Sequence, residues 1–125
     1  MVFIRNVLSM CALVISTSSF AGDPVAGEQV YAKCKVCHEI EPDKSKVGPS
    51  LHGVVGRQAG DLASFASYSD ALKNSGLTWD EATLKEFLKS PMTYLKGTRM
   101  FFVGIKSEQE IDDLLAYLKE TSADK

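Results

Sequence analysis

The chain predicts an all-α fold, three to four short helices joined by long loops. Three observations lead there. No segment sustains the apolar–polar alternation of a half-buried strand. Two Ser/Thr-x-x-Glu boxes, Thr78-x-x-Glu81 and Ser107-x-x-Glu110, stand ahead of apolar residues at helical spacing. Two stretches, 39–67 and 91–106, hold no period and are broken by Gly and Pro.

The first helix opens at Asp23-Pro24, an N-cap residue followed by a proline at the first helical position. Ala26, Val30 and Cys34 recur at four-residue spacing, with Gly27 and Tyr31 on the neighbouring row, so the helix runs roughly three turns. Gly27 leaves room for another helix to cross, or is an ordinary mid-helix glycine tolerated at about 1 kcal/mol. Ser67 caps a short helix through Asn74, and Gly76 ends it. The box at Thr78 opens a helix whose Leu84, Phe87 and Leu88 form one stripe. Pro91 stops that helix and pushes Ser90 out of helical geometry. The box at Ser107 opens the last helix, with Ile111, Leu114, Leu115 and Leu118 at i, i+3, i+4 and i+7. Its acids lie early and Lys119 late, as the helix dipole prefers.

The loop 39–67 is longer than an ordinary connection, and such loops in a compact domain wrap something or function. Leu51, Val54 and Val55 are its apolar residues available to face an enclosed group. At 125 residues the chain makes one domain, and with so much loop its core is thin. A buried group would supply the centre.

Cys34-Lys35-Val36-Cys37-His38 names that group. Two cysteines two residues apart, followed at once by histidine, form the attachment signature of a c-type haem. Each thiol adds across one vinyl group of the porphyrin edge, and the next residue is carried under the ring, where an imidazole can bind iron. A thioredoxin-like redox pair would sit beside a βαβ pattern, which the chain lacks. A structural zinc site wants four ligands, and the remaining candidates are only Cys11 and His52. A Cys34–Cys37 disulfide would close almost no loop and add little stability. The chain is thus read as holding one haem c through Cys34 and Cys37 and carrying single electrons.

Residues 1–21 read as a cleaved secretory leader, and 22–125 as the mature domain. Arg5 supplies the positive charge, Val7 to Ile15 the apolar run, and Ser19-Phe20-Ala21 the small-x-small cleavage site. The apolar run is short for a membrane span; a kept leader acting as an anchor is the alternative. Met10 is too large to precede a lipidated Cys11. Export gives a periplasmic location, which suits haem attachment outside the cytoplasm. The charge balance, 14 basic against 16 acidic residues, excludes the basic stripe of a nucleic-acid binder.

Beyond the haem motif the chain carries Gly27-x-x-x-Tyr31, Gly48-Pro49-Ser50-Leu51-His52-Gly53, Gly56-Arg57, Tyr68-Ser69-Asp70-Ala71, Leu77-Thr78-Trp79, Pro91-x-x-Tyr94-x-x-Gly97-Thr98-Arg99-Met100 and Asp113-Leu114-Leu115-Ala116-Tyr117-Leu118. In this order the pieces resemble class I cytochrome c, most closely the mitochondrial-like bacterial cytochromes c2 and c550, over essentially the whole mature chain. The resemblance implies the cytochrome c fold wrapped round one covalent haem. It implies His38 as the proximal iron ligand, with the Pro49 carbonyl accepting the proton on its other nitrogen. Composition leaves Met92 and Met100 even as the second axial ligand; the family context of Gly97 to Phe102 favours Met100. A thioether there raises the potential relative to two histidines, and a filled sixth position points to outer-sphere electron transfer, not catalysis.

By the same resemblance Arg57, Tyr68 and Trp79 donate hydrogen bonds round the inner haem propionate, each otherwise readable as surface or core. Gly27, Tyr31, Leu114 and Tyr117 form the crossing of first and last helices, Phe102 covers the haem edge, and His52 is a solvated loop residue. Phe87 and Leu72 stand where the family carries a tyrosine and a polar residue, and the segment Ser64-Phe65-Ala66-Ser67 is one residue longer than the commonest form. Lys33, Lys46, Arg99 and Lys106 keep part of the family's basic ring, while Met92 and Thr93 fall where lysines often sit. The implied partners are redox proteins: a membrane quinol–cytochrome oxidoreductase, a terminal oxidase, a photosynthetic reaction centre or a periplasmic dehydrogenase. Nucleic acid is not among them, membrane contact is transient, and the chain is a monomer. A dedicated electron-acceptor subunit of one dehydrogenase, and a haem enzyme or sensor with a labile sixth ligand, are the alternative functions.

Overall fold

The computed structural model describes residues 11–14 and 22–123. Most of the expected leader, and the cleavage site expected after Ala21, lie outside those residues. Among the described residues no helix is long and apolar enough to cross a membrane.

Five helices follow one another: α1 Pro24–Tyr31, α2 Asp70–Lys73, α3 Glu81–Lys89, α4 Pro91–Tyr94 and α5 Glu108–Ala123. The described residues form no sheet, only isolated bridges between His38 and Ser45 and between Gln58 and Thr78. The all-α expectation holds, with the single turn α4 added to the predicted set.

Capping chemistry explains most boundaries. Asp23 accepts the Val25 N–H at 2.9 Å and Pro24 takes the first helical position of α1. That helix ends about a turn earlier than its apolar spacing suggests. Lys33 and Cys34 donate to Val30 and Tyr31 at 3.1 and 2.8 Å, three residues back, so the chain tightens into turns before the first cysteine. Ser69, not Ser67, caps α2: its backbone is extended and its hydroxyl accepts the Leu72 N–H at 3.2 Å. Asp80, not Thr78, caps α3, accepting the Thr83 N–H at 2.8 Å. Glu81 therefore opens that helix instead of closing a box with Thr78. Pro91 stops α3 as expected, and then serves as the first residue of α4 after the break at Ser90. Ser107 does cap α5, accepting the Glu110 N–H at 3.3 Å.

The first and last helices cross at Gly27. A Cβ there would overlap the Asp113 carbonyl, so only glycine lets the backbones approach this closely. Tyr31 and Tyr117 pack beside the crossing with ring centroids 5.3 Å apart. Buried Asp113 closes the joint, its Oδ1 accepting the Asp23 N–H at 2.8 Å and the Gln109 side chain at 2.9 Å. The apolar face of α5 (Ile111, Leu114, Leu115, Leu118) meets Leu84, Phe87 and Leu88 of α3 in one core with Trp79 and Ile105. The segment 95–106 returns over α3. Ile105, 1 % exposed, donates its N–H to the Leu88 carbonyl at 2.8 Å, and Gly104, at φ 96°, passes the Lys89 carbonyl where a Cβ would overlap. This segment and the long loop 39–67 stand around the cleft described next.

Candidate functional site

The Cys34–His38 stretch leaves α1 as tight turns. Cys37 and His38 both donate to the Cys34 carbonyl, at 3.1 and 2.9 Å. The Tyr31 hydroxyl reaches the His38 carbonyl at 3.4 Å, tying the motif to the helix. Burial pushes the Tyr31 phenol up to about 12. Cys34 and Cys37 are free thiols, both half-buried. Burial pushes the Cys34 thiol up to about 11, against the pull of Lys33 and with a smaller push from Cys37. It is a neutral thiol in an apolar setting.

His38 is oriented from outside the turn. Its Nδ1 lies 2.7 Å from the Pro49 carbonyl. A carbonyl only accepts, so Nδ1 carries the proton and Nε2 is left with its lone pair. Burial lowers the imidazole's affinity for a second proton; the Pro49 bond opposes this, while Arg57 and Lys46 add to it. His38 is thus a neutral imidazole with one basic nitrogen, the state a metal requires. Gly48 makes the approach feasible, because a Cβ on it would overlap the His38 ring.

These groups line a cleft of about 430 Å³. Its walls are mostly apolar, with Leu51, Val54, Phe65, Trp79, Phe87, Leu114 and Leu118 among them. Among the described residues no carboxylate lines it, whereas Lys33, Arg57 and Arg99 do. Arg57 donates to the His52 and Ser50 carbonyls at 3.2 and 2.9 Å. Burial lowers its pKa and Tyr68 raises it. A cation held there by neutral carbonyls suits an anionic group in the cleft.

Every residue expected at the site reaches this cleft: Cys34, Cys37, His38, Pro49, Arg57, Tyr68, Trp79 and Met100. The Tyr68 hydroxyl accepts the Leu62 N–H at 3.4 Å and keeps its own proton to donate. Met100 is half-buried and packed against the core, its N–H on the Thr98 hydroxyl at 3.2 Å. Met92 is 43 % exposed and does not line the cleft. Phe102 lines it, as do Phe87 and Leu72. Phe87, without a hydroxyl, packs its ring 4.8 Å from Trp79 and 6.2 Å from Tyr94. His52 departs from expectation: it is half-buried and holds Arg57 through its carbonyl.

Two contributors escaped sequence reasoning. Gly48 reads as loop punctuation until the His38 ring is seen against it. Ser50, 1 % exposed, reads as a small loop residue, yet it anchors the backbone between Pro49 and Arg57. A Gly-Pro pair in a chain with a haem histidine is the available signal for the first. For the second the only signal is its place in the Gly48–Gly53 run, which gives it no role.

The residues fit a haem. The cleft is apolar for the macrocycle, two thiols stand at its wall, an imidazole is fixed with a free nitrogen, and a half-buried cation awaits carboxylates. Among the described residues no group of three or more His, Cys, Asp or Glu stands together that could hold a metal ion.

Known proteins agree. The family model for cytochrome c matches residues 24–122. Cytochrome c2 of Rhodomicrobium vannielii is 53 % identical over 109 residues, 86 % of each chain. Cytochrome c2 of Rhodoblastus acidophilus is 53 % identical over 105 residues, 83 % of this chain and 97 % of that one. Cytochrome c-550 of Nitrobacter winogradskyi is 48 % identical over 104 residues, 82 % and 94 % of the two chains. The solved structure of cytochrome cH from Methylobacterium extorquens superposes with a TM-score of 0.75 at 52 % identity, covering 79 % of this chain and 99 % of that one. The chain belongs to the cytochrome c family and is an electron carrier built on haem c held covalently through Cys34 and Cys37.

Proposed function

We propose that the protein is a His/Met-ligated, low-spin cytochrome that shuttles single electrons between redox proteins in the periplasm. The observation that carries this reading is the meeting of a Pro49-oriented His38 and a half-buried Met100 in one apolar cleft, with Met92 outside it. Bound haem supplies an iron that changes by one electron.

The chain's own residues set the conditions for that change. His38 Nε2 would bind the iron, while the Nδ1–H···O=C bond to Pro49 holds the ring's orientation and raises its basicity. Met100 would offer the iron a soft thioether donor, which favours the reduced metal. Arg57, Tyr68 and Trp79 give donors to the propionates, which are costly to bury charged without them. The apolar walls exclude water, so little solvent reorganises when the charge changes. With His38 and Met100 both holding it, the iron would offer substrate no open site, and the protein would transfer electrons without being an enzyme.

Residues 1–21 act as the leader that directs the chain to the periplasm, where 22–125 fold as a monomer round the haem. The donor or acceptor is a quinol–cytochrome oxidoreductase, a terminal oxidase, a photosynthetic reaction centre or a periplasmic dehydrogenase. Lys33 and Lys46 are each engaged with an acid, Glu110 at 3.4 Å and Glu39 at 3.2 Å, so long-range steering to an acidic partner is weak.

Ligation is tested by the red charge-transfer band of methionine on ferric haem. The band is expected in the native protein and in Met92→Leu, and lost in Met100→Ala. Loss in Met92→Leu with retention in Met100→Ala would overturn the assignment.

A further inference from the structure

We propose that Ser50 is a positioning residue that fixes, through the two peptide planes on either side of it, both the proximal imidazole and the propionate-facing guanidinium. The proposal rests on His38 being the proximal ligand and deepens that reading, by giving His38 and Arg57 a common support.

The first plane joins Pro49 to Ser50. In a trans peptide the C=O and N–H point in opposite directions. Here the C=O accepts from His38 Nδ1 at 2.7 Å, and the N–H donates to the Ser45 hydroxyl at 3.2 Å. Ser45 itself is bridged to the His38 backbone, so the grip on the plane returns to the ligand it serves. The second plane joins Ser50 to Leu51. Its C=O accepts from Arg57 Nη2 at 2.9 Å, and its N–H donates to the Glu39 carbonyl at 2.9 Å. Both planes are held at both ends, one facing the imidazole and the other the guanidinium.

Their shared atom is the Ser50 Cα, and its side chain sets where that atom sits. The hydroxyl, 1 % exposed as a residue, donates to the Glu41 carbonyl at 2.6 Å and accepts the His52 N–H at 3.2 Å. It thereby joins the chain at Glu41 to the chain at His52, on both sides of Pro49-Ser50. His52 is also the second carbonyl partner of Arg57, at 3.2 Å. One hydroxyl thus braces the acceptor of the His38 proton and both acceptors of the Arg57 guanidinium. Alanine would remove the hydroxyl that links the Glu41 carbonyl to the His52 N–H. Threonine keeps the hydroxyl.

The test uses the haem-loaded protein and the paramagnetically shifted His38 Nδ1 proton, followed by NMR as it exchanges with solvent. Ser50→Ala is expected to speed that exchange by roughly tenfold, the factor set by loss of one buried hydrogen bond. It should also shift the haem's midpoint potential and the pH dependence of that potential, since Arg57 loosens with the same turn. Ser50→Thr is expected to restore both. Ile111→Val, a core change in α5 away from the cleft, lowers stability without touching the turn and serves as the control. Equal exchange in Ser50→Ala and the native protein, or in Ser50→Ala and Ile111→Val at matched stability, would overturn the proposal. So would Ser50→Thr behaving like Ser50→Ala. A native protein with no shifted His38 signal would instead overturn the ligand assignment, which separates the two failures.

Discussion

Gly48 shows how much the site asks of one residue. The His38 ring lies where a Gly48 Cβ would be, and the next carbonyl along the chain fixes that ring. The Gly48→Ala variant must move the ring, the loop or both. It is expected to lower the stability of the holoprotein by about 1–3 kcal/mol, the usual cost of overpacking, seen as a lower denaturant midpoint. A midpoint unchanged from the native protein would mean that the loop yields freely. The thiols and imidazole of Cys34, Cys37 and His38 were legible in the sequence because attachment chemistry restricts their spacing, whereas Met100 and Arg57 were picked out only by the family resemblance. Gly48 and Ser50 were not legible, because their parts are played by an absent side chain and by a backbone, and neither announces its target.

At the scale of elements, the apolar stripes placed the long helices well. Leu84, Phe87 and Leu88 of α3 and Ile111, Leu114, Leu115 and Leu118 of α5 all enter the core. The ends were harder, since several polar residues compete to cap each helix. Two serines stand two residues apart before α2, and Thr78 and Asp80 stand before α3. Tertiary demands choose between them: Thr78 is drawn into a bridge with Gln58, leaving Asp80 to cap. This has a consequence for pH. The Thr83 amide, and then its hydroxyl, hold the Asp80 carboxyl below the ordinary aspartate range. A depressed folded-state pKa gives stability that is full above the unfolded value near 4 and is lost as pH falls through the folded value. Asp80→Asn keeps an accepting oxygen that does not titrate. Native and Asp80→Asn holoproteins compared by denaturant unfolding between about pH 5 and pH 2 should therefore converge toward the acid end. A constant difference across that range would contradict the cap's titration.

The whole molecule is a thin protein shell organised by what it encloses. Its helices are short, its long loops pass round the cleft, and the core residues Trp79, Phe87, Leu114 and Leu118 are at the same time cleft walls. Without a haem the apolar walls of a cleft of about 430 Å³ would face water, and a small domain has little stability to set against that exposure. The chain with both Cys34 and Cys37 changed to serine and no haem attached is expected to lack a cooperative thermal transition. Native-like near-ultraviolet circular dichroism and a sharp transition in that chain would show that the shell stands alone. The loops were legible in the sequence mainly as lengths, because single contacts hold them, such as Ser50 on the Glu41 carbonyl and Arg57 on the His52 carbonyl, with no periodic pattern of their own.

In the proposed function His38 and Met100 would leave the iron no open site, and it would exchange one electron without binding substrate. Carbon monoxide added to the reduced native protein at neutral pH tests this most directly, read by the haem absorption spectrum. The spectrum is expected to stay that of the His38/Met100 form, with no carbon monoxide adduct. Tight adduct formation under those conditions would show an open or labile sixth position and would contradict the electron-carrier account.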